Sequence, residues 1–326
     1  MTPLLELRNL TVELPTPEGW VQPVREVSFA LELGQTLGLV GESGSGKTML
    51  ALALVGLLPA GARRSGQAWL AASNGTGPKD LVTAGEAELI AVRGREIGFI
   101  FQEPMTALNP VMRIGAQIAE AVRARAPGLS AGEVGQRVIA ALERARVPEP
   151  ALRARQFPHQ LSGGLRQRAM IAMALAAGPR LLVADEPTTA LDVTVQKEIL
   201  ELLRRLQEEM GLALLFITHD LGVVAQVAGR LAVMYAGRIV EMGPAREVLR
   251  HPRHPYTEGL LRASPQLGRR GLTPIPGSVP PLDALPPGCA FEPRCAYRQE
   301  ACSAAVPEWR QAGPDHRARC ILVSQP

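Results

Sequence analysis

The chain has 326 residues, 46% of them hydrophobic and 20% charged, with a formal net charge of +4. This length and apolar content suit about two domains with a large buried core and argue against extensive disorder. The arginines are spread out and aromatic residues make up only 4%, which excludes a basic nucleic-acid stripe and a stacking platform for single strands.

Membrane and secretory segments are not expected either. The longest apolar stretch, residues 49–60, is shorter than the ~20 residues that a membrane-spanning helix needs. Charged residues begin at Glu6, and no charged-then-apolar leader follows.

The first motif that carries chemistry follows a short apolar run. Residues 36–40 favour a buried strand, residues 41–48 match G-x-x-x-x-G-K-[ST], and residues 49–58 favour a helix that ends at Pro59. In this context, backbone N–H groups at a helix N-terminus meet phosphate charge. Lys47 is predicted to reach the β- and γ-phosphates, and the Thr48 hydroxyl to bind Mg²⁺. The predicted ATP-binding residues of the loop are Gly41, Glu42, Ser43, Gly44, Ser45, Gly46, Lys47 and Thr48.

Two further apolar runs end in residues that can assist phosphate chemistry. Residues 181–184 favour a buried strand followed by Asp185 and Glu186, and residues 212–218 favour another followed by His219. Ligands bind at the carboxyl ends of parallel strands. We therefore predict Asp185 in the Mg²⁺ shell, Glu186 as the general base for the attacking water, and His219 at the γ-phosphate.

A family resemblance emerges from the order of these motifs. The segment Leu-Ser-Gly-Gly-Leu-Arg-Gln-Arg at 161–168 lies between the phosphate loop and Asp185 and precedes a helical run. With Gln102, Asp192 and His219, this order resembles ATP-binding-cassette (ABC) transporter ATPases over residues 4–250. The resemblance implies an enzyme that hydrolyses ATP with Mg²⁺.

The resemblance assigns further residues. Gln102 is similar to the family's Q-loop glutamine, which contacts Mg²⁺ and the attacking water, and Asp192 to its D-loop aspartate. Ser162, Gly163 and Gly164 resemble the signature motif, which faces the γ-phosphate held by another subunit. A head-to-tail dimer is implied. Leu14 aligns with the adenine-stacking position, and Trp20 is the nearest aromatic alternative.

The implied fold is α/β: a P-loop NTPase of the ABC nucleotide-binding type over residues 4–250. Apolar residues recur at helical spacing between positions 112 and 159. They predict an inserted helical subdomain, about 103–165, which resembles the family's docking lobe for membrane subunits. A Pro/Cys-rich C-terminal extension follows at 251–326.

Three segments narrow the resemblance to one subfamily. Residues 102–110, 185–194 and 251–257 are similar to the oligopeptide/dipeptide/nickel importers. This implies a peripheral subunit on the cytoplasmic face of the inner membrane that powers uptake of di- and oligopeptides. The implied partners are a second, paralogous ATPase, two transmembrane permeases and an extracytoplasmic binding protein, with no nucleic acid. Nickel or another small solute remains open, as does a soluble ABC ATPase without a transport role.

The extension has an unusual composition. Half of the 28 prolines lie from Pro244 onward, and all four cysteines lie in the same part of the chain, at Cys289, Cys295, Cys302 and Cys320. Four thiolates can hold a [4Fe–4S] cluster or Zn²⁺, and the subfamily resemblance favours the cluster. Unbound thiols or two disulfides are the alternatives. His251 and His254, flanked by prolines, are not assigned as ligands.

Overall fold

The computed structural model describes residues 3–72, 77–189, 191–264 and 273–323. In these ranges the chain forms two sheets with helices packed around them. The strands are β1 Leu5–Thr16, β2 Gly19–Leu31, β3 Thr36–Val40, β4 Arg63–Leu70, β5 Lys79–Asp80, β6 Ile97–Ile100, β7 Leu181–Asp185, β8 Ala213–Thr218, β9 Arg230–Tyr235, β10 Arg238–Pro244, β11 Arg310–Gly313 and β12 His316–Ala318.

The helices lie mainly between the strands of the larger sheet. None of those in the described part of the chain is both long and apolar enough to cross a lipid bilayer. They are α1 Lys47–Val55, α2 Glu86–Val92, α3 Pro104–Ala107, α4 Ile114–Arg125, α5 Ala131–Arg144, α6 Pro150–Arg153, α7 Gly163–Leu175, α8 Val193–Met210, α9 Leu221–Val227, α10 Ala245–Arg250, α11 Pro255–Ala263 and α12 Ala301–Ala304.

The larger sheet positions the site. Its strand order is β11-β12-β10-β9-β3-β8-β7-β6, and β6, β7, β8, β3 and β9 run parallel. Strands β7 and β8 are buried along their whole length, as expected for parallel strands covered on both faces. The carboxyl ends of β3, β6, β7 and β8 therefore meet at one edge, where the predicted catalytic segments begin.

The predicted elements around the motifs agree with the structure except at the two ends of the first helix, which begins at Lys47 and not at Met49. Strand β3 has the predicted bounds, and β7 and β8 differ from prediction by one residue each. The predicted end of the first helix at Leu58 is wrong, because α1 ends at Val55. Gly56 takes a left-handed conformation (φ 64°), and the Leu57 N–H donates to the Leu52 carbonyl at 3.0 Å, which closes the helix before Pro59 is reached.

A smaller antiparallel sheet, β2-β1-β4-β5, covers helix α1 from the other side. Leu5 of β1, Leu50 of α1 and Leu215 of β8 belong to one buried apolar cluster. The phosphate loop is thus anchored between two sheets that share a core.

The segment with apolar residues at helical spacing, 112–159, lies in the region of helices α3 to α6, between β6 and α7. Ile114, Ile118, Val134 and Val138 are buried in a cluster that also includes residues of α7. Ser130 caps α5 by accepting the Glu133 N–H at 3.3 Å, and Glu133 accepts the Ser130 N–H at 2.8 Å. The domain boundaries at 103–165, 4–250 and 251–326 stay predictions.

The extension contributes to the larger sheet, which the sequence did not predict. Strand β12 pairs with β10 through Glu241↔Ala318 and Met242↔Arg317, and β11 pairs with β12. Both strands are too short to show a clear alternating pattern. The guanidinium groups of Arg317 and Arg319 lie over the Trp309 ring, at 4.5 and 4.8 Å from its centroid.

A buried polar cluster fastens the extension to β10. Glu241 is 0% exposed, and its carboxylate accepts the Arg253 N–H at 2.7 Å and the His254 N–H at 2.9 Å. The Nε2 atom of His316 lies 2.7 Å from the same carboxylate. One acidic side chain of the sheet therefore holds two separate segments of the extension.

We expect the stability of the protein to fall in mild acid because of His254. Burial lowers the pKa of His254 to about 4, although the Glu241 carboxylate opposes the shift. The unfolded chain then binds a proton from about pH 6.5 downward while the folded chain does not, so the free energy of unfolding decreases as pH falls from about 6.5 to 4, by up to about 1.4 kcal/mol per pH unit.

Urea unfolding at pH 7 and pH 5 tests this expectation. His254→Gln should flatten the pH dependence, since it removes the group that only the unfolded chain protonates. His251→Gln, at an exposed histidine nearby, is the matched control and should leave the slope unchanged. Both variants keep Glu241 and His316. Equal slopes in His254→Gln and the wild type would contradict the assignment.

Candidate nucleotide-binding site

The phosphate loop connects β3 to α1 in a conformation that requires glycine. Gly46 has φ 104°, and a Cβ atom there would lie 1.9 Å from the Pro23 carbonyl oxygen. A Cβ on Gly41 would lie 2.2 Å from the Met234 carbonyl oxygen. The backbone is packed too closely for any side chain at these positions, so the loop can take this path only with glycine there.

Lys47 begins α1 and points back into the loop. Its side-chain nitrogen donates to the carbonyl oxygens of Gly41 at 2.8 Å and Glu42 at 3.0 Å. Burial lowers the pKa of Lys47, and the nearby carboxylates of Glu186, Asp185 and Glu42 oppose that shift. The ammonium is thus held at the loop, where it can exchange carbonyl contacts for phosphate oxygens.

Asp185 and Thr48 form a pair that suits a magnesium ion. The Thr48 hydroxyl lies near the Asp185 carboxyl group and acts to lower its pKa, against the larger effect of burial. Asp185 is 2% exposed, and its Oδ1 atom is buried without a hydrogen-bond partner. Burial raises the pKa of Asp185. An orphaned carboxylate oxygen beside a hydroxyl is the oxygen donor set that Mg²⁺ prefers, so these residues fit the ion.

Glu186 lies at the centre of the predicted catalytic group. It follows β7 with a left-handed backbone (φ 47°), a conformation that is uncommon for a residue other than glycine and often marks a functional site. Its Oε2 atom accepts the Thr189 hydroxyl at 2.8 Å and the Gln102 side-chain amide at 3.4 Å, and lies 3.1 Å from Nδ1 of His219. The structure therefore brings Gln102, Glu186 and His219 together.

Glu186 and His219 shift each other's pKa in opposite directions. The hydrogen bond with His219 is the main cause that lowers the pKa of Glu186, with Thr189 assisting and burial opposing. The same bond raises the pKa of His219. Glu186 is thereby kept ionised and able to accept a proton, and its partner His219 is 54% exposed and can meet a bound phosphate.

A cavity of about 400 Å³ lies in front of the loop. Its lining includes the apolar residues Leu14, Pro23 and Met49, together with residues of the loop, Gln102 and Glu186. The aligned position Leu14 thus lines the cavity. The alternative, Trp20, is absent from the lining, and its ring instead packs under Arg63, whose guanidinium lies 3.9 Å from the ring centroid.

The predicted signature and D-loop residues do not line this cavity. Ser162 caps α7 by accepting the Leu165 N–H at 3.4 Å, and Asp192 caps α8 by accepting the Val195 N–H at 3.0 Å. A Cβ on Gly164 would lie 3.0 Å from Val195, so the two motifs adjoin each other. Ser162 and Gly163 are exposed. Two parts of the predicted ATP site are therefore separate surfaces of one chain.

The four cysteines of the extension are free thiols. The pKa of Cys289 is raised to about 11, mainly by burial and with smaller contributions from Cys302, Cys320 and Cys295, so the four lie near one another. No group of three or more His, Cys, Asp or Glu side chains within the described ranges is arranged to hold a metal ion. The described residues therefore give no support to the predicted [4Fe–4S] cluster or its zinc alternative, and the four cysteines form no disulfide.

Sequence reasoning missed several residues around the site. Thr189 lies within the segment 185–194 but was assigned no role, and Pro23 and Met49 stand in no nucleotide-binding motif. Arg294 and Tyr256 of the extension contact Glu42 of the loop, although neither stands in a nucleotide-binding motif. The one available signal was a charged residue at position 42, inside a loop that binds phosphate.

Comparison with known proteins decides the family. The ABC transporter family matches residues 24–189, and the family described as "Oligopeptide/dipeptide transporter, C-terminal region" matches residues 240–302. The chain belongs to the ABC transporter family. The predicted family, its α/β P-loop fold and its ATPase activity are thereby confirmed.

Individual ABC proteins agree with this assignment. The oligopeptide transport ATP-binding protein OppD of Bacillus subtilis is 50% identical over 287 residues, which cover 86% of this chain and 78% of OppD. OppD of Salmonella typhimurium is 47% identical over 306 residues, with 93% and 89% covered. A dimeric ATP-binding cassette solved in a post-hydrolysis state with ADP and Pi matches with TM-score 0.65 and 28% identity, covering 74% of this chain and 99% of that one.

Proposed function

We propose that this ABC protein is the ATP-hydrolysing subunit of a membrane importer that powers uptake of di- and oligopeptides. The observation that carries the proposal is the joint match of one chain to the ABC transporter family and to the oligopeptide/dipeptide transporter C-terminal region. The names of the OppD relatives support the same solute class.

The site residues have distinct proposed roles in ATP hydrolysis. The loop from Gly41 to Thr48 binds the phosphates, with Lys47 neutralising their charge. Glu186 accepts the proton of the attacking water. Gln102, whose side-chain amide donates to the Glu186 carboxylate at 3.4 Å, orients that water. His219 contacts the γ-phosphate while holding Glu186. Asp185, Thr48 and Gln102 would hold Mg²⁺, which supplies charge stabilisation to the phosphates when it is bound.

The separation of the signature motif from the cavity supports a dimer. Ser162, Gly163, Gly164 and Asp192 are proposed to complete the ATP site of a second ATPase subunit, in a head-to-tail pair. Closure of the pair on ATP would drive the permeases, and hydrolysis would reset them. We propose a paralogous chain as the partner, as in the subfamily that the sequence resembles.

The remaining parts of the proposed system follow from the importer role. Two transmembrane permease subunits would dock on the helical subdomain, and an extracytoplasmic protein would deliver the solute. The chain would lie peripherally on the cytoplasmic face of the inner membrane.

Uptake of a radiolabelled tripeptide tests the solute class. Cells that lack this chain should lose ATP-dependent uptake, and expression of the wild-type chain should restore it. Uptake of nickel, measured in the same cells, is the control for the other solute of the subfamily. Normal peptide uptake with lost nickel uptake would reject the peptide assignment. Normal uptake of both, with the chain isolated free of membrane proteins, would favour an ABC ATPase without a transport role.

The predicted [4Fe–4S] cluster, with zinc as alternative, remains a separate hypothesis that the arrangement of the thiols does not support. Iron and zinc analysis and the visible absorption spectrum of the anaerobically purified chain decide it. Absence of both metals would leave the four cysteines as thiols.

A further inference from the structure

The second residue of the phosphate loop is held by two side chains of the extension. Arg294 donates from both terminal nitrogens to the Glu42 carboxylate, at 2.7 Å (Nη1 to Oε2) and 3.0 Å (Nη2 to Oε1). The Tyr256 hydroxyl accepts the Glu42 backbone N–H at 2.8 Å. These contacts bridge 252 and 214 residues of sequence, so they join the extension directly to the ATP site.

Contacts other than those with Glu42 also hold the Arg294 side chain in place. Its side chain is 4% exposed, and its Nε atom donates to the Pro276 carbonyl at 3.0 Å. The rings of Tyr235 and Phe291 flank its guanidinium, with centroids 5.8 and 5.9 Å away. A bidentate contact made by a buried guanidinium of this kind is geometrically specific and costs little additional ordering.

Glu42 occupies a position where its charge matters. Its carbonyl oxygen accepts the Lys47 ammonium at 3.0 Å, and its carboxylate is among the charges that raise the pKa of Lys47. An unpaired carboxylate in this loop would repel the triphosphate and compete for the Lys47 charge. The repulsion would be strong because the site is only partly screened by water.

We propose that Arg294 is a positioning residue of the ATP site, which neutralises Glu42 and holds the loop in its phosphate-binding shape. The extension then forms part of the nucleotide-binding machinery, in addition to any role in partner or solute recognition. This inference rests on the proposed ATPase function and adds a determinant of ATP affinity to it.

Titration calorimetry with MgATP on the full-length chain tests the inference. Arg294→Met should raise the Kd for ATP about tenfold, because it leaves the Glu42 carboxylate uncompensated. Adding Glu42→Gln should bring the Kd back to within about threefold of wild type, since the repelling charge is gone. Arg298→Met removes an arginine from the same segment whose side chain is 66% exposed, and this matched control should change the Kd less than about twofold.

The double variant separates charge neutralisation from a merely structural role. A structural arginine would give a double variant at least as weak in ATP binding as Arg294→Met alone, and that result would overturn the proposal. A Kd for Arg294→Met within about twofold of wild type would overturn it as well. In hydrolysis assays, KM should rise while kcat changes less, because the uncompensated charge acts on bound substrate and transition state alike.

Arg294→Lys covers the case in which the methionine variant does not fold. It keeps the positive charge that neutralises Glu42 and loses the two-pronged contact, so we expect the Kd to stay within about threefold of wild type. A rise in Kd of about tenfold, as large as that expected for Arg294→Met, would contradict charge neutralisation. Calorimetry of binding needs no turnover, so its outcome is independent of hydrolysis. Hydrolysis that survives Glu186→Gln would instead reject the proposed catalytic role of Glu186 and leave the Arg294 result standing.

Discussion

Glu186→Gln is expected to lower ATP hydrolysis by the assembled transporter by at least about 100-fold, the lower range for loss of a positioned general base. Glutamine has nearly the same shape and can keep contacts with Thr189 and Gln102, which lie 2.8 and 3.4 Å from the carboxylate. It cannot accept a proton from water. Phosphate release by the reconstituted complex measures the loss.

ATP binding should survive in the same variant, because Glu186 is placed to act on the attacking water. We expect the Kd for MgATP to stay within about threefold of wild type. Glu208→Gln is the matched control, since Glu208 lies on the exposed face of α8 with a side chain that is 60% exposed, and it should hydrolyse ATP normally. Unchanged hydrolysis in Glu186→Gln, or an equal loss in Glu208→Gln, would remove Glu186 from the mechanism.

A large loss of stability is expected on substitution of Glu241, which holds the extension to the larger sheet. Glu241→Leu deprives the N–H groups of Arg253 and His254 of their acceptor and leaves the His316 ring without its partner. Removing one member of a buried charged network destabilises a protein by about 3–5 kcal/mol, and we expect a loss of that size. The free energy of unfolding in urea measures it.

Glu247→Leu provides the comparison for this prediction. Glu247 lies on α10, close to Glu241 in sequence, and is exposed, so its replacement should change the free energy of unfolding by less than about 0.5 kcal/mol. Hydrogen exchange at β12 should become faster in Glu241→Leu, because the strand is tied to β10 beside this residue. Similar stabilities for the two variants would show that the buried cluster does not hold the extension.

The nucleotide-binding part of the chain was predictable because its chemistry is local. The loop from Gly41 to Thr48 and the acidic end of β7 each lie within a few residues, next to strands whose apolar runs are unbroken. Parallel strands then bring their carboxyl ends together, so the meeting of Glu186 and His219 followed from topology, whereas Gln102 was assigned through the family resemblance. The end of α1 was mispredicted because Gly56 closes the helix before Pro59 is reached.

The rest depended on contacts between distant segments. Nothing near Arg294 in sequence indicates that it reaches Glu42, and strands β11 and β12 are too short to show a period.

The cysteines show a different limit of prediction from sequence. Their number and spacing suggested a four-thiolate site, whereas geometry decides whether thiols that lie near one another can converge on one ion.

The two short strands of the extension have a consequence for association between chains. Strand β12 covers the side of β10 that faces away from β9, with the Arg319 N–H donating to the Val240 carbonyl at 2.8 Å. An uncovered β10 would present unpaired backbone groups that can template pairing with another molecule. The extension therefore protects the edge of the larger sheet from pairing with another molecule. Loss of its last segment would favour edge-to-edge aggregation even if every residue of the phosphate loop stayed intact.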